Sequence, residues 1–420
     1  MLEECALAEG LIRFDTSRPE ELPSAAGFVR GWLEARDLVV RVHDHGGLPL
    51  LVCDVGAKAE DAPTVVFHGH LDVVPGRAEQ FAPVLDGDRL IGRGAYDMKG
   101  GLAAMMCALK DVEHQDRVRV RFVCVPDEES EDLDERATDA FVASGLGGDF
   151  AITGEPTNLH IGVEAKGVLV MRIVVHGRSA HSSTPWLGDN AVLKAVDVFR
   201  CIETLPFSRE STEIFDRPSI NVGRIEGGDA LNKVPDRCTM WVDVRYLPGQ
   251  DPAEILEQVR AIRDIEVERT FIHPPVSVSR ENPFVLGLRE AVARSTRGES
   301  LSVGRDGASE AAAFIKAGIP AVEFGPTGGG HHGPEEWVSV SGLARYRRAL
   351  ADFVRGLPLT LGGEPGTLAG APTEAGPQTA ADPGPQTVRV EKQPTGRGYS
   401  TRSDGAGRPA AGGRAPRRPA

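Results

Sequence analysis

The chain has few aromatic residues, 5% of its 420, no CxxC pair among its six cysteines, no excess of positive charge and no apolar run long enough to span a bilayer. Each shortage excludes a class. Cys5, Cys53, Cys107, Cys124, Cys201 and Cys238 are scattered, several inside apolar runs, which points to reduced core thiols in a cytoplasmic protein. A net charge of -14 argues against nucleic acid or an anionic membrane as partner, since both attract basic surfaces. The start, MLEECALAEGLIRFD, is acidic and amphipathic, so no secretory leader is expected. A small molecule or short peptide is the substrate class that remains.

An apolar fraction of 41% is enough for globular cores, and the length calls for two of them plus unstructured sequence. From Pro358 onward 22 of 63 residues are Gly or Pro, with eight basic against five acidic, and residues 358–420 are expected to be a disordered tail. Before it, strands such as PTVVFHGH and RVRVRFVCV alternate with helical segments such as MKGGLAAMMCALKDV, the pattern of an α/β domain with a mostly parallel central sheet. Around Val163 the period changes. VLVMRIVVHG and RCTMWVDVRYLP alternate as antiparallel strands, and DNAVLKAVDVFRCIETL and PAEILEQVRAIRDI read as two helices beside them. ENPFVLGLREAVARSTRG then resumes the first pattern. The expected division is a catalytic domain in two parts, 1–162 and 275–357, interrupted by an inserted α+β unit at 163–274.

The chemistry-bearing residues stand at strand ends. In TVVFHGHLDVVPG, His68 and His70 project to one face of a strand and Asp72 falls just beyond, where it can fix the tautomer of a metal-binding histidine. Asp97, in GRGAYDMKGG, is placed either to bind a metal or to cap the following helix. Asp127, Glu128 and Glu129 follow an apolar strand; their mutual repulsion would be relieved by a cation, and the two glutamates point in different directions, one suited to ligation and one to holding water. The charges at 131–135 read as a solvated run. Glu155 follows the strand of AITGEPTN, and His331 and His332 follow EFGPTGGG. Two histidines, a bridging aspartate and two glutamates suit two zinc ions with open positions, and an unligated carboxylate, for which Glu128 is the natural choice, would shuttle protons in amide hydrolysis.

Taken in order, GHLDVVPG, GRGAYDMKGG, PDEES, TGEPT, GRSAHSSTPWLGDNA and FGPTGGGHHGPEEW resemble the dinuclear zinc aminoacylase and carboxypeptidase family, which includes acetylornithine deacetylase and succinyl-diaminopimelate desuccinylase. That resemblance, over about residues 5–355, implies a zinc-peptidase-like fold with an inserted lid and dimerisation domain. It implies His70, Asp97, Glu129, Glu155 and His332 as metal ligands, with Asp97 bridging, a cis peptide after Asp97, Glu128 as general acid and base, and Asp72 behind His70. His332 is chosen over His331 from the spacing to Glu335 and Glu336. His181 would stabilise the oxyanion in the partner subunit's site, and Asn232 and Arg245 would contact substrate, giving a homodimer. The cofactor implied is a pair of zinc ions, with cobalt or manganese as substitutes. The reaction implied is deacylation of an N-acyl amino acid, with dipeptidase or carboxypeptidase activity, or metal binding without catalysis, as the competing readings. One stretch departs from the family: in RDGASEAAAF, Glu310 and a run of alanines stand where desuccinylases carry an aspartate and an arginine, so the arginine expected to help bind a dicarboxylate is missing.

Overall fold

The computed structural model describes residues 2–130, 136–296 and 301–361, without the side chains of 358–360. The acidic run at 131–135 and residues 362–420 of the expected tail lie outside the described residues, while 358–360, expected to begin the disordered tail, instead continue the helix Val340–Thr360.

Seventeen strands are present among the described residues: β1 Val40–His45, β2 Leu48–Gly56, β3 Thr64–His70, β4 Val84–Asp86, β5 Arg89–Ile91, β6 Arg119–Val125, β7 Phe150–Thr153, β8 Ile161–Ala165, β9 Gly167–His176, β10 Ser219–Gly227, β11 Arg237–Tyr246, β12 Ile265–His273, β13 Val276–Ser277, β14 Ser302–Arg305, β15 Ala321–Glu323, β16 Gly328–Gly329 and β17 Trp337–Ser339. The nine-stranded central sheet runs β1-β2-β6-β3-β7-β15-β8-β13, with β14 also on β8. It is a mixed sheet. The pairs β6/β3, β3/β7, β7/β15 and β8/β14 are parallel, while β1, β2 and β13 add antiparallel margins and β15 meets β8 antiparallel. The parallel middle decides where the chemistry goes, because β6, β3, β7 and β15 all point their C-terminal ends to one edge, where open α/β sheets bind ligands.

Strand β3 explains its own burial. Every residue from Thr64 to His70 is buried, as expected of a strand covered on both faces. Val65 and Phe67 join the larger core, with the helices Glu3–Ile12, Lys99–Asp111, Pro283–Thr296 and Val340–Thr360, while Val66 faces a smaller core with Phe141 and Phe314. The helix Lys99–Asp111 is buried on all sides through Leu109, and Gly100 lets it approach closely: a Cβ there would stand 2.3 Å from the Ala95 carbonyl oxygen.

The strands β10-β11-β9-β12 form a separate four-stranded antiparallel sheet. Strand β11 alternates buried and partly or fully exposed residues along its length, and its inward positions Cys238, Met240, Val242 and Val244 pack with Ala195, Val198, Ile255 and Val259 of the helices Ala191–Ile202 and Pro252–Arg260. Asn190 caps the first of these helices by accepting from the amides of Val192 and Leu193. A third small sheet, β16-β17-β5-β4, is also antiparallel and pairs Trp337 with Ile91 and Val338 with Leu90. That pairing brings the glycine-rich loop before β17 against the segment that carries Asp97.

The six cysteines are unpaired and all but Cys201 are buried. Burial pushes the thiols of Cys53, Cys107 and Cys124 up to about 12, so they are inert packing groups. Among the described residues no helix is long and apolar enough to cross a membrane.

Candidate metal centre

Strand β3 ends in His70, whose imidazole is fully buried. Its Nδ1 lies 2.9 Å from the backbone oxygen of Asp72 and 3.4 Å from Asp72 Oδ1. The proton is thus drawn to Nδ1, which turns Nε2 toward Asp97 Oδ1 at 3.1 Å and Glu155 Oε1 at 3.5 Å. Asp72 has a second task. Its two carboxylate oxygens accept the amides of Glu128 and Glu129, at 3.0 and 2.7 Å, and so fix the turn that follows β6.

Asp97 is held differently from the helix-capping alternative. The following helix begins at Lys99 with no side-chain cap, and the Asp97 carboxylate instead faces three imidazoles. Nε2 of His331 lies 2.5 Å and Nε2 of His332 3.1 Å from Oδ2, opposite His70 on Oδ1. The Asp97–Met98 peptide is cis. The loop is organised by Glu336, which is 1% exposed: one oxygen accepts the amides of Tyr96 and Asp97, and the other meets Arg93 at 2.7 Å, while Arg93 also donates to the backbone oxygen of His332. His332 is in the left-handed region at φ 56, after Gly330 at φ 74, and this turn sets the rings of His331 and His332 only 4.3 Å apart. His332 Nε2 also reaches Glu129 Oε1 at 3.1 Å.

The electrostatics follow from crowding carboxylates in a buried space. Burial opposes charge on Asp97, but the hydrogen bonds from His331, His332 and His70 hold its carboxyl well below the usual range. Burial and the charges of Glu129, Asp97 and Asp72 push Glu128 up to about 7, against the pull of His70. Glu155 is raised, first by burial and then by Asp97. Hydrogen bonds to Asp97 and Glu129 lift His332 to about 10.

Three overlapping groups present ligand atoms within 4.8 Å of one another: Asp97, His331 and His332; His70, Asp97 and Glu155; and His70, Glu128 and Glu129. Asp97 is common to two of them. Glu155 Oε1 is buried without a hydrogen-bond partner, which is costly for a carboxylate oxygen unless a cation takes its lone pair. This donor set of imidazoles and carboxylates fits divalent metal ions.

Residues that the sequence placed in one cluster separate in part. His68 shares a face with His70 but turns inward, to Thr138 Oγ1 at 2.9 Å and Glu310 Oε2 at 3.5 Å, and burial lowers it to about 3. Asp127 turns away to accept the amide of Ala137 at the next helix. His181, Asn232 and Arg245 lie in the separate sheet region with local partners: His181 with Ser183, the Asn232 carbonyl with the Ser182 amide, and Arg245 with both oxygens of Asp243. Sequence reasoning used Glu336 only to choose between two histidines and overlooked Arg93; the acidic pair beside HHGP was the available signal for Glu336, whereas nothing local marks Arg93.

Residues 66–356 match the model of peptidase family M20/M25/M40. A succinyl-diaminopimelate desuccinylase of Gluconacetobacter diazotrophicus is 27% identical over 371 residues, covering 84% of this chain and 96% of that protein. Among solved structures, an M20 family metallo-carboxypeptidase of Sulfolobus solfataricus aligns with a TM-score of 0.68 at 20% identity, covering 86% of this chain and 100% of the other. The aminopeptidase PepT of Bacillus cereus gives a TM-score of 0.68, also at 20% identity, with 84% and 98% covered.

Proposed function

Because this chain belongs to peptidase family M20/M25/M40 and is a metal-dependent hydrolase, we propose that it removes the acyl group from an N-acyl amino acid by hydrolysing the amide bond. The observation that carries the reading is the convergence of His70, Asp97, Glu129 and Glu155 from separate segments, with Glu128, a half-buried carboxyl raised by desolvation and its neighbouring carboxylates, beside them. His70, Asp97 and Glu155 would hold one zinc and Asp97, Glu129 and His332 a second, with cobalt or manganese as substitutes, and when bound the ions lower the pKa of a water and polarise the scissile carbonyl. Glu128 takes the proton of the attacking water and delivers it to the leaving nitrogen, for which a pKa near neutrality is suited. Asp72 keeps His70 in the ligating tautomer and holds Glu128 and Glu129 in place through their amides.

The inserted unit, 163–274, acts in this reading as lid and dimerisation domain between catalytic parts 1–162 and 275–357. Its exposed Trp186, Leu187, Leu193 and Leu231, at 74, 61, 64 and 103%, support a homodimer, in which His181 of one protomer reaches the other's site to stabilise the oxyanion. Asn232 contacts substrate, and Arg245 grips its carboxylate bidentately in place of Asp243. Sedimentation at micromolar concentration should give twice the chain mass; a monomer would remove His181 from the mechanism. The unpaired cysteines support a cytoplasmic location.

Peptide cleavage is the second reading, supported by the peptidase names of the similar structures. Initial rates on matched N-acetyl, N-succinyl and N-formyl amino acids and dipeptides separate the two. The N-acyl amino acids should be turned over at least tenfold more efficiently, whereas efficient dipeptide cleavage with no deacylation would reverse the order. A binding-only role is disfavoured by the presence of Glu128, which metal retention alone does not require.

A further inference from the structure

The turn that follows the helix Glu3–Ile12 is tied to the metal centre by two hydrogen bonds from buried side chains outside the ligand cluster. Thr16, 1% exposed, donates its hydroxyl to the backbone oxygen of Leu71 at 2.7 Å, across 55 residues of sequence. Leu71 stands between His70 and Asp72, and its amide donates to the Val125 backbone oxygen at the end of β6, at 2.9 Å. Both polar groups of Leu71 are thereby fixed, one by the sheet and one by Thr16. Asp72 comes next, and it is the residue whose backbone oxygen meets His70 Nδ1 and whose carboxylate holds the amides of Glu128 and Glu129. The same turn also holds the second loop of the centre. Lys99, two residues after Asp97 and fully buried, donates Nζ to the Phe14 backbone oxygen at 2.7 Å, and the Thr16 amide donates to that oxygen at 3.0 Å. Its stem passes Gly94, where a Cβ would stand 3.0 Å from Lys99 Cδ. An ammonium taken out of water needs such an acceptor, so residues 14–16 are fastened to the Asp97 segment as well as to the His70 corner.

We propose that Thr16 is a positioning residue of the metal centre, its hydroxyl holding the His70–Asp72 corner in the shape that aims His70 Nε2 at the ions and presents Asp72 to Glu128 and Glu129. The proposal rests on the metal assignment above and is independent of which amide is cleaved. Thr16 acts through Leu71 and Asp72, not on the ions themselves. What matters is the donor rather than the volume. Leu71 is buried, and a carbonyl stripped of its hydrogen bond in such a place recovers one only by moving. Because the Leu71 amide stays anchored to β6, that movement falls on the peptide leading into Asp72. The orientation of a metal-binding imidazole and of its carboxylate partner is set by contacts of this kind. A turn from the first 16 residues of the chain thus shapes a site whose ligands begin at His70.

The test measures zinc affinity by competition with a chelator on full-length wild type, Thr16→Val, which keeps the shape and loses the donor, and Thr16→Ser, which keeps the donor. Ser208→Ala is the control, since Ser208 is buried in the inserted unit and its hydroxyl likewise donates to backbone oxygens, those of Glu203 and Leu205. Thr16→Val should bind zinc about 10- to 100-fold more weakly, the usual loss when an outer partner of a metal ligand is removed. Thr16→Ser should recover most of that affinity, and Ser208→Ala should keep the wild-type value even where its melting temperature falls. At saturating zinc, Thr16→Val should lower kcat with little change in KM on whichever substrate the wild type cleaves. If Thr16→Val does not fold, Thr16→Cys takes its place, and its weak S–H donor should give a smaller loss in the same direction. Wild-type zinc affinity in the donor-weakened variant, a serine variant as impaired as the valine one, or an equal loss in Ser208→Ala would overturn the proposal. A wild type that holds no zinc would overturn the metal assignment and the role of Thr16 together, whereas normal zinc binding in all variants would sink Thr16 alone.

Discussion

Glu128→Gln should lower turnover by 10²- to 10⁴-fold or more while leaving metal content unchanged, the loss typical when a positioned acid and base is removed. The amide keeps the shape of the side chain and its backbone hydrogen bond to Asp72 but cannot accept and return a proton. The split between the two readouts carries the information. Glu128 is close enough to His70 and Glu129 to offer a ligand atom of its own, so a variant that lost metal together with activity would make it a ligand, and Glu129, whose carboxylate meets His332, would become the candidate base. A near-normal rate would remove Glu128 from the chemistry.

Asp97→Asn should have an effect of similar size by a different route. It replaces the carboxylate that three imidazoles share by a neutral group, so the negative charge at the centre of the cluster is lost and an amide cannot bridge two ions. The variant should bind fewer than one zinc per chain at concentrations that saturate the wild type and should have no measurable turnover, with added zinc failing to rescue it. Chelator-treated wild type should be equally inactive and should recover with zinc or cobalt. Full activity in metal-free protein, or normal zinc binding by the asparagine variant, would contradict the assignment of Asp97.

Much of this site was legible because parallel strands deliver their ends to one edge. His70 ends β3, Glu128 and Glu129 stand just beyond the end of β6 and Glu155 just beyond β7, three adjacent strands. The alternation that distinguishes β9 and β11 from the buried β3 was equally readable, since one face of that sheet is covered by helices. What the sequence concealed was pairing at a distance. Asp97 joins the cluster because Glu336 holds the amides around it, and that contact depends on β5 meeting β17. His68 follows the same two-residue period as His70, yet one position of depth takes it into the core with Thr138 and Glu310 instead of to the edge.

The decisive measurement is anomalous X-ray scattering from crystals of the zinc-loaded protein, collected above and below the zinc edge. Two peaks are expected, on either side of the Asp97 carboxylate, one among His70 and Glu155 and one among Glu129 and His332. A single peak away from Asp97, or zinc bound elsewhere with this cluster vacant, would contradict the two-metal account of the site.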